Sequence, residues 1–127
     1  MANTRQAWTD TINRRELTAK RAKYGAVKVT VDGIVFDSKR EAARYHELKL
    51  MEKAGKISAL ETQPEFRLNT WHGDHGYAPY VGSYIADFRY WSEGNVIVED
   101  VKGFKTPLYR WKKKHVEAQY GIQIREV

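Results

Sequence analysis

The stretch that decides the fold reads VIVEDVKGFK and runs from Val96 to Lys105. Its apolar residues predict a strand, although Asp and Glu are depleted from strand interiors and occupy adjacent positions here. Because side chains alternate between the two faces of a strand, Asp100 shares a face with Lys102. Glu99 then points to the opposite face, where we expect a surface position or a helix-facing pair with a basic residue. A β-bulge would reverse this assignment.

The residues immediately upstream predict a partner strand. SYIADFRYW (83–91) places Asp87 in an otherwise apolar run, and SEGN (92–95) is typical of a hairpin turn. Pairing of the two strands brings Asp87 beside Asp100 and Lys102. Two neighbouring carboxylates repel each other unless a cation lies between them. The hard cation that suits few carboxylates plus waters is Mg²⁺, with Mn²⁺ as a substitute.

The chain before these strands predicts a hairpin and a helix. AVKVTVDGIVFDS (26–38) alternates apolar and polar residues up to Asp32–Gly33, a dipeptide typical of a tight hairpin turn. A helix follows over 38–55, and Ser38 with Glu41 three residues later matches a capping box. The stripe that predicts its buried face consists of Ala42, Tyr45, Leu48 and Met51.

The remaining segments predict further strands, a loop and a second helix. KISALETQPEFRLN (56–69) predicts one bent strand or two short ones, because Pro64 interrupts its middle. A turn-rich loop covers 70–82, a helix covers 106–120 and a final strand covers 122–127. This order predicts an α/β protein with a mixed central sheet flanked by helices and preceded by an N-terminal hairpin.

Composition limits the classes of function. The 127 residues carry 22 Lys and Arg against 16 Asp and Glu, and a net charge of +6 suits a polyanion partner such as nucleic acid. Residues 1–24 are too poor in apolar residues to build a core, so we expect a basic arm or a marginal helix there, followed by one domain over 25–127. No apolar run reaches the roughly 20 residues of a membrane span. No secretory signal is apparent and cysteine is absent, which favours a cytoplasmic location.

The acidic and basic residues resemble the motifs of the PD-(D/E)XK nuclease superfamily. Asp87 in IADF matches the first acid, with alanine in place of the usual proline, and the DVK of 100–102 matches (D/E)XK. Glu41 matches the helical glutamate that precedes these motifs in many members, and Gln63 is a looser match to a glutamine before the first acid. The family core, α-β-β-β-α-β, agrees with the order read over 38–127. The patterns DG-x-FDSKxEA and DVKG also resemble small phage-encoded nuclease domains.

The resemblance implies a restriction-endonuclease-like αβββαβ fold and Mg²⁺-dependent hydrolysis of DNA phosphodiester bonds. It implies that Asp87, Asp100 and Glu41 act in catalysis and hold one or two ions, together with the carbonyl of Val101. Lys102 would orient the attacking water or stabilise the transition state. The small size favours a structure-selective enzyme of the junction-resolvase kind, or a nonspecific one, acting on branched or duplex DNA. A resolvase must cut two strands symmetrically, which implies a homodimer.

Basic residues are the expected contacts to DNA phosphates. The candidates are Arg21, Lys23, Lys105, Lys112 and Lys113. For the helical pair, a solvated helix surface is an equally good interpretation. If the protein is phage-encoded, the expected location is the cytoplasm of the host cell.

Two other classes of function stay open. A nucleic-acid-binding module that kept the fold and lost activity would carry the same charge pattern, although it would have no reason to retain Asp87, Asp100 and Lys102. A phage host-takeover protein would use the fold as a docking surface. WHGDHG (71–76) contains two histidines and an acid, but its loose spacing among glycines favours a turn over a metal site.

Overall fold

The computed structural model describes residues 27–71, 76 and 78–127. The chain divides into two compact units, Met1–His46 and Glu47–Val127. The arm predicted over 1–24, with Arg21 and Lys23, lies outside the described residues, as do the histidines and the acid of WHGDHG.

The N-terminal unit contains the predicted hairpin. Strands β1 (Val29–Val31) and β2 (Ile34–Phe36) pair antiparallel. Asp32 and Gly33 both adopt positive φ, 53° and 77°, as the favoured two-residue hairpin turn requires. Asp32 also accepts a hydrogen bond from the hydroxyl of Tyr45 at 2.9 Å. The turn is therefore tied to the helix that follows it.

Helix α1 (Lys39–Lys53) begins at the predicted capping box. Ser38 Oγ accepts a hydrogen bond from the Glu41 N–H at 3.1 Å, and the Glu41 carboxylate accepts one from the Ser38 hydroxyl at 3.2 Å. The N–H of Asp37, just before the cap, donates to the same carboxylate at 3.4 Å. Of the N–H groups in the first turn, that of Glu41 thus gains a partner in Ser38. Of the predicted stripe, Ala42, Tyr45 and Leu48 are buried and Met51 is half-buried.

Within its described residues, the C-terminal unit contains six strands. They are β3 (Ser58–Thr62), β4 (Glu65–Asn69), β5 (Tyr80–Ile85), β6 (Phe88–Ser92), β7 (Asn95–Asp100) and β8 (Ile124–Glu126). Four of them form a mixed sheet of order β3-β6-β7-β8, antiparallel except for the parallel pair β7–β8. The other two, β4 and β5, pair antiparallel with each other. The mixed sheet predicted from the sequence is confirmed.

The prediction of SYIADFRYW as one strand is wrong, because the chain changes sheets within it. β5 ends before Ala86, and β6 begins after Asp87. The segment 56–69, which pairs with both strands, is likewise interrupted between β3 and β4, as Pro64 predicted. Two backbone hydrogen bonds cross the break, from the Gln63 N–H to the Asp87 carbonyl at 2.9 Å and from the Ala86 N–H to the Pro64 carbonyl at 3.1 Å. Asp87 therefore lies at the junction of two sheets and not in the middle of a strand.

Helix α2 (Pro107–Tyr120) has the predicted boundaries. Thr106 Oγ1 accepts a hydrogen bond from the Tyr109 N–H at 3.0 Å, and Gly121 ends the helix in the left-handed conformation with φ 64°. The helix packs against β4 and β5. The buried cluster of this unit contains Phe66, Leu68, Tyr84, Ala86, Val98, Tyr109, Val116 and Ile124.

The expected α/β class is confirmed. From α1 onward the elements keep the order α-β-β-β-α-β, with β4 and β5 added between the first two strands of the sheet. β5 begins at Tyr80, inside the predicted loop, and β8 is shorter than the predicted final strand. Among the described residues, no helix has the length and apolar character needed to cross a bilayer.

Candidate active site

The ends of β6 and β7 bring Asp87 next to the DVK stretch. The Asp87 N–H donates a hydrogen bond to the Glu99 carbonyl at 3.1 Å. Its carboxylate accepts one from the Val101 N–H, with 2.6 Å between Oδ2 and N. The structure thus places Asp87 at the end of β7, as the predicted hairpin pairing required.

Asp100 is the last residue of β7, and its side chain is fully buried. Oδ2 accepts a hydrogen bond from the hydroxyl of Tyr84 on β5. Oδ1 lies 3.0 Å from the ammonium of Lys102 but outside hydrogen-bonding geometry, and no described residue donates a hydrogen bond to it. Unsatisfied buried polar atoms are few in native proteins, and this one requires an explanation.

Lys102 lies on the same side as Asp100, as strand alternation predicted. Its ammonium is 4.4 Å from the centroid of the Tyr109 ring, within cation–π range, and 26% of its side chain is exposed. The Lys102 N–H donates to the Val127 carbonyl at 3.3 Å, and the Val127 N–H donates to the Asp100 carbonyl at 3.0 Å. The ammonium therefore lies beside a buried carboxylate and is itself partly exposed to solvent. The backbone of Asp100 and Lys102 is held by hydrogen bonds to Val127.

Glu99 lies on the face opposite Asp100, but the expected surface position is wrong. Its side chain is fully buried and accepts a hydrogen bond from the hydroxyl of Tyr90, which is also buried. A buried carboxylate needs such donors because burial without them is costly. The register of β6 and β7 is regular, so no bulge reverses the assignment of Asp100 to the candidate site.

A third acid, Glu126, is the register partner of Asp100 in the parallel pair β7–β8. Its carboxylate accepts a hydrogen bond from the Tyr109 hydroxyl at 2.7 Å and pairs with Lys105 at 2.9 Å and Lys113 at 3.4 Å. Lys105 first, and Tyr109 next, lower the pKa of Glu126 to about 2. Two of the lysines predicted to contact DNA, Lys105 and Lys113, thus pair with a carboxylate of the protein itself.

Two tyrosines hold the acids in position. Burial, followed by the charge of Asp100, raises the pKa of Tyr84 far above its ordinary value. Burial, followed by the hydrogen bond to Glu126, raises the pKa of Tyr109 in the same way. Both hydroxyls therefore stay protonated and act as donors at any working pH. Asp87, Asp100, Lys102, Lys105, Lys113, Glu126 and these two tyrosines are called the acid–lysine cluster below.

Three further residues predicted for the site are Glu41, Lys112 and Val101, and their predicted roles stay predictions. Glu41 belongs to the N-terminal unit, where its carboxylate caps α1, and its role as a ligand stays a prediction. Lys112 is half-buried on α2 and forms no ion pair with a described residue. Val101 contributes its N–H to Asp87, and the role of its carbonyl stays a prediction.

A divalent cation such as Mg²⁺ requires oxygen donors from carboxylates and waters. Within residues 27–71, 76 and 78–127, no group of three or more His, Cys, Asp and Glu side chains is arranged to hold a metal ion. Asp87 and Asp100 offer two carboxylates, and Mg²⁺ is commonly bound by one or two carboxylates with several waters. The buried Oδ1 of Asp100, without a hydrogen-bond donor among those residues, matches that requirement. The types of donor present are therefore those that Mg²⁺ uses together with waters, although the Lys102 ammonium lies 3.0 Å from the same Oδ1, and the metal site stays a prediction.

Sequence reasoning missed Tyr84, Tyr109 and Glu126. The two tyrosines read as ordinary core aromatics, and Glu126 reads as a polar residue near the end of a short strand. One signal was available, because an inward-facing Asp100 needs a buried donor and the upstream segment predicted to pair with its strand contains Tyr84. The position of Glu126 depends on the parallel register of β7 and β8, which no local pattern predicts.

The fold and the site define an α/β protein in which acids and lysines meet at one end of a mixed sheet. The chain belongs to the family described as "Protein of unknown function (DUF1064)", whose model matches residues 21–126. No curated protein and no solved structure matches the chain.

Proposed function

We propose that the chain is a Mg²⁺-dependent phosphodiesterase that cuts DNA. The observation that carries the proposal is the fully buried carboxylate of Asp100, whose Oδ1 has no hydrogen-bond donor among the described residues and lies 3.0 Å from the ammonium of Lys102. Sites of catalysis and of ion binding are recognised reasons for such an exception in a native protein. Asp87 adds a second carboxylate at the same end of the sheet.

Asp87 and Asp100 are the residues that would hold Mg²⁺ or Mn²⁺. When bound, the ion supplies charge neutralisation at the phosphate and lowers the pKa of a water molecule. Glu41 and the carbonyl of Val101 are further proposed ligands, supported by the sequence resemblance. The Tyr84 hydroxyl fixes the orientation of Asp100 through its hydrogen bond to Oδ2.

Lys102 is the proposed stabiliser of the negative charge that develops on the phosphate. Its ammonium is held between the Asp100 carboxylate and the Tyr109 ring while part of the side chain reaches solvent. A preorganised group of this kind contributes roughly 10²–10³-fold to a rate. Lys105 and Lys113 belong to the same cluster, where both pair with Glu126 and part of each side chain is exposed, and they would bind flanking phosphates.

The proposed substrate is branched or duplex DNA. The net charge of +6 supports a polyanionic substrate. A junction-resolving activity requires a homodimer, because two strands must be cut symmetrically. Light scattering on the purified chain measures that state directly. The proposed location is the cytoplasm, that of the host cell if the protein is phage-encoded.

One observation favours an inactive nucleic-acid-binding or docking protein as the second candidate. The lysines of the cluster pair with the acids of the cluster itself, Lys102 with Asp100 and both Lys105 and Lys113 with Glu126. A site that neutralises its own charges does not require a metal ion. This alternative predicts DNA binding or protein binding without cleavage under any metal condition.

The experiment that tests the proposal incubates the purified chain with a four-way junction, duplex DNA, single-stranded DNA and RNA in Mg²⁺, Mn²⁺ or chelator. We expect metal-dependent cleavage of DNA, and a loss of about 100-fold or more in each of Asp87→Asn, Asp100→Asn and Lys102→Met. Glu93→Gln is the matched control, since Glu93 lies in the exposed turn at the far end of the β6–β7 hairpin. Cleavage that persists unchanged in Asp100→Asn and Lys102→Met would contradict the proposal.

A further inference from the structure

A pocket of about 580 Å³ opens between the end of β4 and helix α2, within the C-terminal unit. Its walls include Asn69, Thr70, Trp71, His115 and Gln119. No member of the acid–lysine cluster lines it. Its volume lies within the range of about 300–1,000 Å³ that is typical of ligand sites.

Hydrogen bonds between α2 and the end of β4 hold the pocket walls in place. Gln119 accepts a hydrogen bond from the Asn69 N–H at 2.8 Å and donates one to the Arg67 carbonyl at 3.0 Å. The Asn69 amide donates to the Ala78 carbonyl at 3.0 Å, and His115 Nε2 lies 2.8 Å from the Asn69 carbonyl. The pocket is therefore formed before any ligand arrives, which lowers the entropic cost of binding.

One tryptophan forms part of the pocket wall, and a second contacts a wall residue. Trp71 lines the pocket and is 79% exposed, whereas Trp111 on α2 lies outside the wall, one helical turn before the wall residue His115, and is 54% exposed. The rings of Trp111 and His115 meet edge to face, with 5.4 Å between their centroids. Single exposed apolar residues are normal on a protein surface, but ligand pockets are typically lined by aromatic side chains, as this one is by Trp71. Flat aromatic faces of this kind stack with nucleobases of any sequence.

The pocket also offers hydrogen-bonding groups. The Asn69 carbonyl can only accept, so Nε2 of His115 carries the proton in their contact. In the neutral ring, Nδ1 of His115 is then an acceptor. The exposed Thr70 adds a hydroxyl that both donates and accepts. A base edge has both kinds of group to pair with.

Positive charge flanks the two tryptophans. Lys112 and Lys114 lie on α2 around Trp111, and neither forms an ion pair with a described residue. Arg67 on β4 stacks over the ring of Tyr80, with its guanidinium carbon 4.0 Å from the centroid. The phosphates of a strand whose base enters the pocket would meet these cations. The charge of the surroundings therefore favours a polyanion such as a nucleic acid over a neutral or cationic ligand.

We propose that this pocket binds an unpaired nucleobase of a DNA strand, stacked against Trp71 and Trp111. The proposal rests on the proposed nuclease function, because it names the feature of the DNA that the enzyme would select. His115 lies six residues beyond Tyr109 of the acid–lysine cluster, and at 1.5 Å per residue this is about 9 Å along the axis of α2. About three nucleotide steps of a stacked strand span that distance. A base left unpaired at a branch point lies within this reach of the proposed cleavage site.

The test measures binding of a short oligothymidylate and of a blunt duplex of equal length, in chelator so that no cleavage takes place. Trp71→Ala and Trp111→Ala should each weaken single-strand binding about 5- to 150-fold, the effect of losing one stacked base. Their affinity for the duplex, whose bases are already stacked, should stay within about twofold of the wild type. Trp91→Ala is the matched control, because Trp91 is 48% exposed but lines a different pocket. Its single-strand affinity should not change.

The possible outcomes separate this inference from the proposed function. Equal single-strand affinity in the wild type and both tryptophan variants would contradict the proposed base-binding pocket. Mg²⁺-dependent cleavage of duplex DNA by the same variants would still support the proposed nuclease function. Base binding that depends on Trp71, in a wild-type chain that never cuts DNA, would support the pocket and overturn the nuclease. Trp71 could instead contact a second copy of the chain. If the wild type self-associates, Trp71→Ala does not, and neither binds single-stranded DNA, the base-binding pocket is contradicted. Thermal unfolding checks that each variant is folded, and Trp71→Ala is decisive alone because its side chain is largely outside the core.

Discussion

Asp87 and Val101 are joined by a hydrogen bond from the Val101 N–H to the Asp87 carboxylate, with 2.6 Å between Oδ2 and N. The contact links the residue that precedes β6 to the residue that follows β7. Val101 is 8% exposed, so its N–H has little access to water and the Asp87 carboxylate provides the acceptor that a buried N–H needs. Asp87 therefore has a structural role besides the proposed catalytic one, and a substitution has to separate the two.

Asp87→Ala and Asp87→Asn separate them. Alanine removes the acceptor of the Val101 N–H, and we expect a loss of about 1–3 kcal/mol in the free energy of unfolding. Asparagine keeps an oxygen that can accept the same hydrogen bond, so its loss should be smaller, about 1 kcal/mol or less, although both variants lose DNA cleavage. Urea unfolding at neutral pH measures the difference. Equal stability of the alanine variant and the wild type would show that the contact contributes nothing to folding.

Tyr84→Phe and Tyr90→Phe test the two faces of β7 separately. Each change removes the hydroxyl donor of a fully buried acid, Asp100 in the first case and Glu99 in the second. Both should lower the free energy of unfolding by about 1–3 kcal/mol. Tyr84→Phe should also slow DNA cleavage, because Asp100 loses the partner that orients it, whereas Tyr90→Phe should leave the rate unchanged.

The pH dependence of the unfolding free energy gives a second measurement for the Tyr84→Phe variant. The raised pKa of Tyr84 keeps its hydroxyl protonated, so the stability difference caused by Tyr84→Phe should be constant between about pH 6 and pH 9. Cleavage that falls equally in both tyrosine variants would mean that the two faces are not functionally distinct.

Glu126→Gln tests the origin of stability in acid. Because the folded-state pKa of Glu126 is about 2 and its ordinary value is 4.5, its ion pairs stabilise the fold above about pH 4.5 and are lost as the pH falls towards 2. At neutral pH the variant should be less stable by about 1 kcal/mol, a modest value because solvent screens the partly exposed pairs. The difference between variant and wild type should vanish as the pH approaches 2 in acid titrations of the unfolding free energy.

Glu65→Gln is the control for this titration, since Glu65 is an exposed strand residue that forms no ion pair with a described residue. At neutral pH its free energy of unfolding should match that of the wild type. A constant gap between Glu126→Gln and the wild type down to pH 2 would mean that the lysines do not stabilise the ionised carboxylate.

Local patterns predicted most elements of the fold. Asp32–Gly33 fixed the first turn, Ser38 with Glu41 fixed the start of α1, and Thr106 with Gly121 fixed the ends of α2, because each depends on residues only a few positions apart. The break at Asp87 escaped the same reasoning. It depends on pairing with Gln63 and Pro64 more than twenty residues away, and apolar periodicity runs through it without interruption.

In the candidate site, too, features set by local sequence rules were predicted and features set by contacts between distant residues were not. The spacing of Asp100 and Lys102 predicted their common face, since strand alternation is a local rule. The burial of Glu99 was not predicted, because the rule gives the face of a residue and not what covers that face. Glu126 entered the cluster through the parallel register of β7 and β8, a contact between distant parts of the chain.

Lys112 and Lys113 give the last prediction, which concerns the salt dependence of DNA binding. Each lysine that neutralises a phosphate adds about one to the slope of log affinity against log salt. Lys112 pairs with no described residue, so Lys112→Met should reduce the slope by about one. Lys113 lies 3.4 Å from Glu126, so its contact with DNA competes with that ion pair and Lys113→Met should change the slope less. In a Glu126→Gln background the competition is removed, and the two methionine substitutions should then have equal effects. Equal effects already in the wild-type background would mean that Glu126 does not restrain Lys113.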